Sequence, residues 1–139
     1  MKLAIVAAEF NRAIVDPMIE IATAEAASSK LEVDLTRVSG AYEIPLPVSV
    51  LIQKPDVDAV VVLGFIERGE TLHGEVMANV VHDALVRLSI EHRKPIGIGI
   101  IGPGATEAQA QKRKEGHARA AVRAVLASLA TMQQLTKKR

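Results

Sequence analysis

Four short apolar runs, each closed by glycine or polar turn residues and each followed by a stretch of helical character, constrain this chain more than any other feature. The first is Leu3 to Ala7, the second Leu31 to Val38, the third Asp58 to Gly64 and the fourth Ile96 to Ile101. Continuous apolar runs of this length read as strands buried on both faces, and the third, DAVVVLG, is expected at the centre of a sheet. The second alternates apolar and polar residues and ends at Ser39-Gly40, so one of its faces should be wetter than the other.

The segments between them carry helix signals. Asp16-Pro17 places a capping residue before a proline at the first helical position, predicting a helix from about Pro17 to Ser29. Pro45 and Pro47 are tolerated only in a first turn, so a second helix should follow Tyr42-Glu43 and reach about Gln53. From Leu72 to about His92, Val76, Val80, Ala84 and Leu88, with Met77, Val81 and Leu85, recur four residues apart and predict a long amphipathic helix. Gly102-Pro103-Gly104 reads as a tight turn. Thr106 with Gln109 reads as a capping box that starts a last helix running to about Leu135, with a bend near Gly116.

Strand and helix thus alternate four times, which predicts a parallel sheet covered on both faces and joined by right-handed crossovers. The expected fold class is α/β, a flavodoxin-like three-layer α/β/α sandwich with a four-stranded parallel sheet, formed by residues 1–139 as a single domain. So small a sheet leaves unpaired edges and much Ala, Val and Leu on the outer faces of the last two helices, so a homo-oligomer is expected.

Composition narrows the function. The absence of cysteine excludes disulfides, thiolate catalysis and Cys-ligated metal sites. A formal net charge of +1 gives no reason to expect nucleic acid, and the basic run Lys137 to Arg139 reads as a solvated tail. No apolar stretch approaches membrane-spanning length, and the first apolar run ends at Glu9 and Asn11 without a cleavage pattern, so a cytoplasmic protein without membrane contact is expected.

Only Phe10, Tyr42 and Phe65 are aromatic, and each stands where a predicted strand runs out. Open α/β sheets bind ligands outside the carboxyl ends of their strands, so these three side chains would suit a flat conjugated ligand, or would plug a domain edge. The segment Gly64 to His73 (GFIERGETLH) leads into the long helix, where backbone N–H groups at Gly69, Glu70 and Thr71, the helix dipole and the Thr71 hydroxyl would hold a phosphate. An ordinary loop capped by Thr71 fits the same residues. His73 would project toward the same crevice, and an imidazole with an intrinsic pKa of about 6.5 suits proton transfer, although a first-turn histidine can equally be structural. With Val76 and Met77 at the positions three and four residues on, no metal is expected at His73. Neither a phosphate-binding P-loop nor a dinucleotide fingerprint is present. Arg113 could face a phosphate or simply belong to the solvated stretch Lys112 to Lys114.

Taken in order, AEFN (8–11), SGAYEIP (39–45), GFIERGETLH (64–73) and GPGATEAQAQKR (102–113) resemble the 6,7-dimethyl-8-ribityllumazine synthases, especially the short archaeal type, and the likeness runs from about Leu3 to Leu135. The resemblance implies a transferase of riboflavin biosynthesis that condenses 5-amino-6-ribitylamino-uracil with 3,4-dihydroxy-2-butanone 4-phosphate. It implies no cofactor, and sites between the subunits of a pentamer, alone or in an assembly of pentamers.

By motif, Phe10 would stack on the pyrimidine ring, and Asn11 with Gly40, Ala41, Tyr42 and Glu43 would hold the ring and ribityl chain. Ile66 would meet the uracil edge, Gly69, Glu70 and Thr71 the phosphate, and His73 would shuttle protons. Arg113 of a neighbouring subunit would grip the phosphate. Three departures from the family pattern stand out: Ile98 where many members place a ring-sandwiching phenylalanine, Ala118 at the position aligned with a lysine, and Glu70 in place of a small residue. Either Arg119 or His117 would substitute for that lysine, or phosphate binding would be weaker. Since the first strand begins at Leu3, the chain is expected to do without the leading segment that adds a strand to the adjacent subunit in long members.

Two relatives by fold compete with this reading: an archaeal-type riboflavin synthase, which the GETLH loop disfavours, and a non-catalytic flavin- or lumazine-binding shell protein, favoured only by Ile98 and Ala118. A phosphoacceptor signalling domain would need clustered aspartates at strand ends, and only Glu9 is there.

Overall fold

The computed structural model describes residues 1–137, so Lys138 and Arg139 of the basic run lie outside the described residues. Four strands, β1 (Lys2–Ala8), β2 (Glu32–Val38), β3 (Ala59–Glu67) and β4 (Ile96–Ala105), alternate with four helices, α1 (Arg12–Ser28), α2 (Pro45–Leu51), α3 (His73–His92) and α4 (Glu107–Lys137). A 3₁₀ turn, Ala41–Glu43, leads into α2. Every strand pair is parallel and the sheet order is β2-β1-β3-β4. This is the 2-1-3-4 order of a flavodoxin-like sheet, in which growth reverses direction between β1 and β3.

Period-2 alternation along the inner strands builds two cores. Leu3, Ile5 and Ala7 of β1, with Val61, Leu63 and Phe65 of β3, face α1 and α4. Ala4, Val6 and Ala8, with Val60, Val62 and Ile66, face α2 and α3. Within the run DAVVVLG, Ala59 to Gly64 is buried on both faces, as its continuous apolar character predicts. Among the described residues no helix is long and apolar enough to cross a membrane.

Three boundaries differ from the sequence expectation, each for a packing reason. Helix α1 begins at Arg12 rather than Pro17 and carries Pro17 inside it. The extra turn hides Ile14 and Val15 completely. Burying two such side chains is worth about 1.5–3 kcal/mol each, which matches or exceeds the cost of about 3 kcal/mol for an interior proline. Asp16, freed from capping, pairs instead with Arg37 of β2 at 2.7 Å.

Strand β3 continues past Gly64 to Glu67, which pairs with Ala105 across a register shift. Gly102-Pro103-Gly104 is correspondingly an irregular stretch inside β4 rather than a turn after it. Gly102 sits at φ +101°, and a Cβ there would strike the Ile66 carbonyl oxygen, so this crossing point requires glycine. Helix α4 starts as the capping box predicts: the Thr106 N–H donates to Gln109 Oε1 at 2.9 Å and the Gln109 N–H to Thr106 Oγ1 at 3.2 Å. It runs helically through Gly116 to Lys137.

Candidate active site

A cavity of about 450 Å³ opens beyond the carboxyl ends of β1, β2 and β3, at the place where the strand order reverses. Backbone hydrogen bonds assemble its rim. The Glu9 N–H donates to the Val38 carbonyl at 2.7 Å and the Phe10 N–H to the Ser39 carbonyl at 3.0 Å, which fastens the turn after β1 to the turn after β2. Phe10 therefore stands beside Gly40, with 55% of its surface exposed.

The 3₁₀ turn is closed by Glu43 N–H to Gly40 carbonyl and Ile44 N–H to Ala41 carbonyl bonds, both 3.1 Å, and is pinned by the fully buried Ile44. It presents Tyr42 to the cavity with its ring edge-on to His73, centroids 5.9 Å apart and planes at 62°. His73 is the first residue of α3, and its backbone N–H donates to Thr71 Oγ1 at 3.3 Å. Thr71 thus satisfies a helix-terminal donor from one position ahead of the capping residue Leu72, and Thr71 itself lines the cavity.

The structure brings together Phe10, Gly40, Ala41, Tyr42, Glu43, Ile66, Gly69, Thr71 and His73. The remaining sequence candidates lie elsewhere. Asn11 caps α1 in the left-handed region at φ 60°, where its carbonyl accepts from the N–H groups of Ile14 and Val15; asparagine is among the few residues that adopt this conformation readily. Glu70 is exposed and does not line the cavity. Ile98 borders a groove between β4 and α4 with Gly116, His117 and Ala120, and Arg113 borders a cavity of about 290 Å³ with Gly102 to Ala105, Gln109 and His117.

Phe65 corrects the reading of the aromatics. It borders the cavity but is only 3% exposed and belongs to the α1/α4 core, because β3 runs on and alternation places it on the same face as Leu63. Ser39, Glu67, Gly74 and Met77 complete the lining and were not singled out as site residues from sequence. The signal for Met77 was present, since it follows His73 by four residues on one helix face. Among the residues lining this cavity the acids are Glu43 and Glu67, and no lysine or arginine is among them.

Fold and crevice together define a flavodoxin-like protein with an open cavity at its topological switch point. Residues 1–136 match the family model for 6,7-dimethyl-8-ribityllumazine synthase. The chain is 46% identical over 123 residues to the 6,7-dimethyl-8-ribityllumazine synthase of Metallosphaera sedula, covering 88% of this chain and 82% of that one. It is 41% identical over 139 residues to the enzyme of the same name from Staphylothermus marinus, covering 99% and 93%. With that of Saccharolobus solfataricus it shares 41% over 127 residues, covering 91% and 82%. The chain belongs to the 6,7-dimethyl-8-ribityllumazine synthase family.

Proposed function

We propose that this protein, as a single cytoplasmic domain, condenses 5-amino-6-ribitylamino-uracil with 3,4-dihydroxy-2-butanone 4-phosphate to give 6,7-dimethyl-8-ribityllumazine, phosphate and water. The observation that carries the proposal is the cavity at the switch point, which joins an exposed aromatic face, an N–H-rich loop at a helix start and an imidazole within one crevice. Phe10 stacks on the pyrimidine, the Gly40 to Glu43 turn holds the ring and ribityl chain, with Asn11 fixing the start of α1 behind Phe10, and the backbone at Ile66 meets the uracil edge. The loop Gly69 to Thr71, including the Glu70 N–H, receives the phosphate. His73, steadied by Tyr42, carries protons during imine formation and phosphate loss.

The active form in this proposal is a homo-oligomer, a pentamer or an assembly of pentamers, with each site shared between neighbours. Two features support it. The cavity lining offers a dianionic phosphate two carboxylates and no permanent cation, while Arg113 faces a separate cavity beside the β4 edge. A neighbouring subunit that laid its β4 edge against the crevice would bring Arg113 to the phosphate and Ile98 to the ring. The exposed Leu72, Val76, Val80 and Ile90 on and beside α3 supply apolar surface for such packing.

Purified protein mixed with both substrates should form the visible lumazine chromophore and inorganic phosphate in equal amounts, faster than the uncatalysed condensation. Lumazine retained in the cavity without turnover would overturn the proposal.

A further inference from the structure

Two acids line the cavity at the switch point, and the proposed function uses only one of them. Glu43 belongs to the turn after β2, and its Oε1 lies 3.2 Å from where a Cβ on Gly40 would stand, so its carboxylate stays beside the turn that holds the ribityl chain. Glu67 stands on the opposite side, as the last residue of β3. Its backbone is fixed by its neighbours. Glu67 pairs with Ala105 of β4, the following N–H, that of Arg68, donates to the Ala105 carbonyl at 2.8 Å, and a Cβ on Gly74 of α3 would stand 3.5 Å from the Glu67 carbonyl oxygen. Glu67 also borders a second cavity of about 490 Å³, which shares Gly69, Thr71 and Gly74 with the first and adds Arg68 and Glu75. It therefore belongs to the partition between the two. Glu67 is exposed, and among the described residues it has no ion-pair partner, so packing and charge pairing within the subunit do not account for an acid at this point.

Chain order sets what Glu67 meets. In the proposed complex Ile66, just before it, lies at the uracil edge, and Gly69 to Thr71, just after it, receive the phosphate. The ring carries the 5-amino group and the phosphorylated chain carries the ketone, so the new C–N bond forms between these two anchors, where Glu67 stands. We propose that Glu67 is a catalytic base for formation of that bond. The amine lone pair adds to the ketone carbon, the C=O π pair moves to oxygen, and the nitrogen sheds a proton to the carboxylate, which returns it to that oxygen. The second N–H proton then follows the same route as the C–O bond breaks and the C=N bond forms. Both amine protons end on the departing water, and the carboxylate is regenerated. An ionised carboxylate only accepts, which suits a donor-rich amine better than it suits a phosphate. The inference rests on the proposed function and deepens it, giving His73 a partner at the ring end of the site.

The test is single-turnover and steady-state kinetics of wild type, Glu67→Gln, Glu67→Asp and Glu75→Gln, with lumazine and phosphate followed together. Glu67→Gln keeps an oxygen that accepts a hydrogen bond but takes no proton. Its single-turnover rate at saturating substrates should fall about 10- to 100-fold, toward the low end of what one acid–base group contributes. Phosphate release should slow in parallel with lumazine formation, because phosphate leaves after the C–N bond is made. The KM values for both substrates should stay close to those of wild type, and Glu67→Asp, which keeps the carboxylate, should run faster than Glu67→Gln. Glu75→Gln, which alters an exposed acid of the second cavity alone, should match wild type within about twofold. Three results would overturn the inference while leaving the synthase reading intact. These are a Glu67→Gln enzyme with the wild-type single-turnover rate, whether or not its KM for the butanone phosphate rises; phosphate released at the wild-type rate while lumazine lags; and a Glu67→Asp enzyme no faster than Glu67→Gln. A wild-type protein that forms no lumazine would instead remove the proposed function itself.

Discussion

His73 meets the cavity at the start of α3 with Tyr42 against its ring edge, and in the reaction proposed above it moves protons between two substrates that already react with one another. Holding them together is worth about 7–11 kcal/mol, whereas a single acid–base group contributes roughly 10²- to 10⁴-fold. His73→Ala is expected to slow turnover without abolishing it, by about 10- to 1,000-fold, the lower part of that range and below, because proximity carries most of the rate; complete loss of lumazine formation in a folded variant would contradict this division of labour. The two phenylalanines give a sharper contrast. Phe10→Ala should leave the melting temperature nearly unchanged and raise the KM of the pyrimidine substrate by roughly tenfold, the scale of one lost base–aromatic stack. Phe65→Ala should cost about 3–5 kcal/mol of stability, read by denaturant unfolding, because it empties part of a core. The sequence treats the two alike, each at the end of an apolar run. Only the extension of β3 beyond Gly64, set by pairing with β4, tells which of them faces inward.

At the scale of elements, legibility followed the range of the interaction that sets each boundary. The capping box at Thr106 and Gln109 is local and was read correctly; the start of α1 depends on what Ile14 and Val15 bury against, and a local proline signal pointed to the wrong turn. The irregular end of β4 was equally hidden, since Gly102 is required by a carbonyl of β3 that is distant in sequence. Another close approach is testable: a Cβ on Gly97 would collide with the Ala121 backbone carbonyl, so Gly97→Ala should separate α4 from β4 and cost about 1–3 kcal/mol, measured by urea unfolding.

At the opposite end of the sheet, Lys2 Nζ lies 2.9 Å from Asp56 and 3.2 Å from Asp34. The hydrogen bond to Asp56, then that to Asp34, pushes the Lys2 amine up to about 12, and the bond from Lys2 holds Asp56 below its ordinary 3.8. The raised amine adds stability that is complete below its ordinary 10.5 and lost as pH climbs through about 12. The lowered carboxyl adds stability present above 3.8 and lost on acidification below it. Lys2→Met should flatten both flanks of the pH–stability curve, with the largest loss relative to wild type at neutral pH; unchanged flanks in urea titrations would show that the cluster is inert.

Across the whole molecule, the parallel sheet, the central place of β3 and a crevice outside the carboxyl strand ends could be anticipated from four apolar runs and the rule for open sheets, whereas the strand order itself came from the structure. The proposed distribution of the site over two faces is implied by the family resemblance and not by any local pattern, because none tells which side of a sheet edge a helix leaves open. That distribution has a genetic consequence. In a ring where each subunit lends its β4 edge to the next, the head of one chain completes the tail of another, and defects on the two surfaces belong to different complementation groups. One allele lacking the crevice imidazole (His73→Ala) and another lacking the edge guanidinium (Arg113→Ala) would each impair every site in a pure ring. Rings refolded from an equal mixture would regain about a quarter of intact sites, each formed where an unimpaired crevice meets an unimpaired edge. A cell carrying both alleles could then make the pigment that neither allele supports adequately alone.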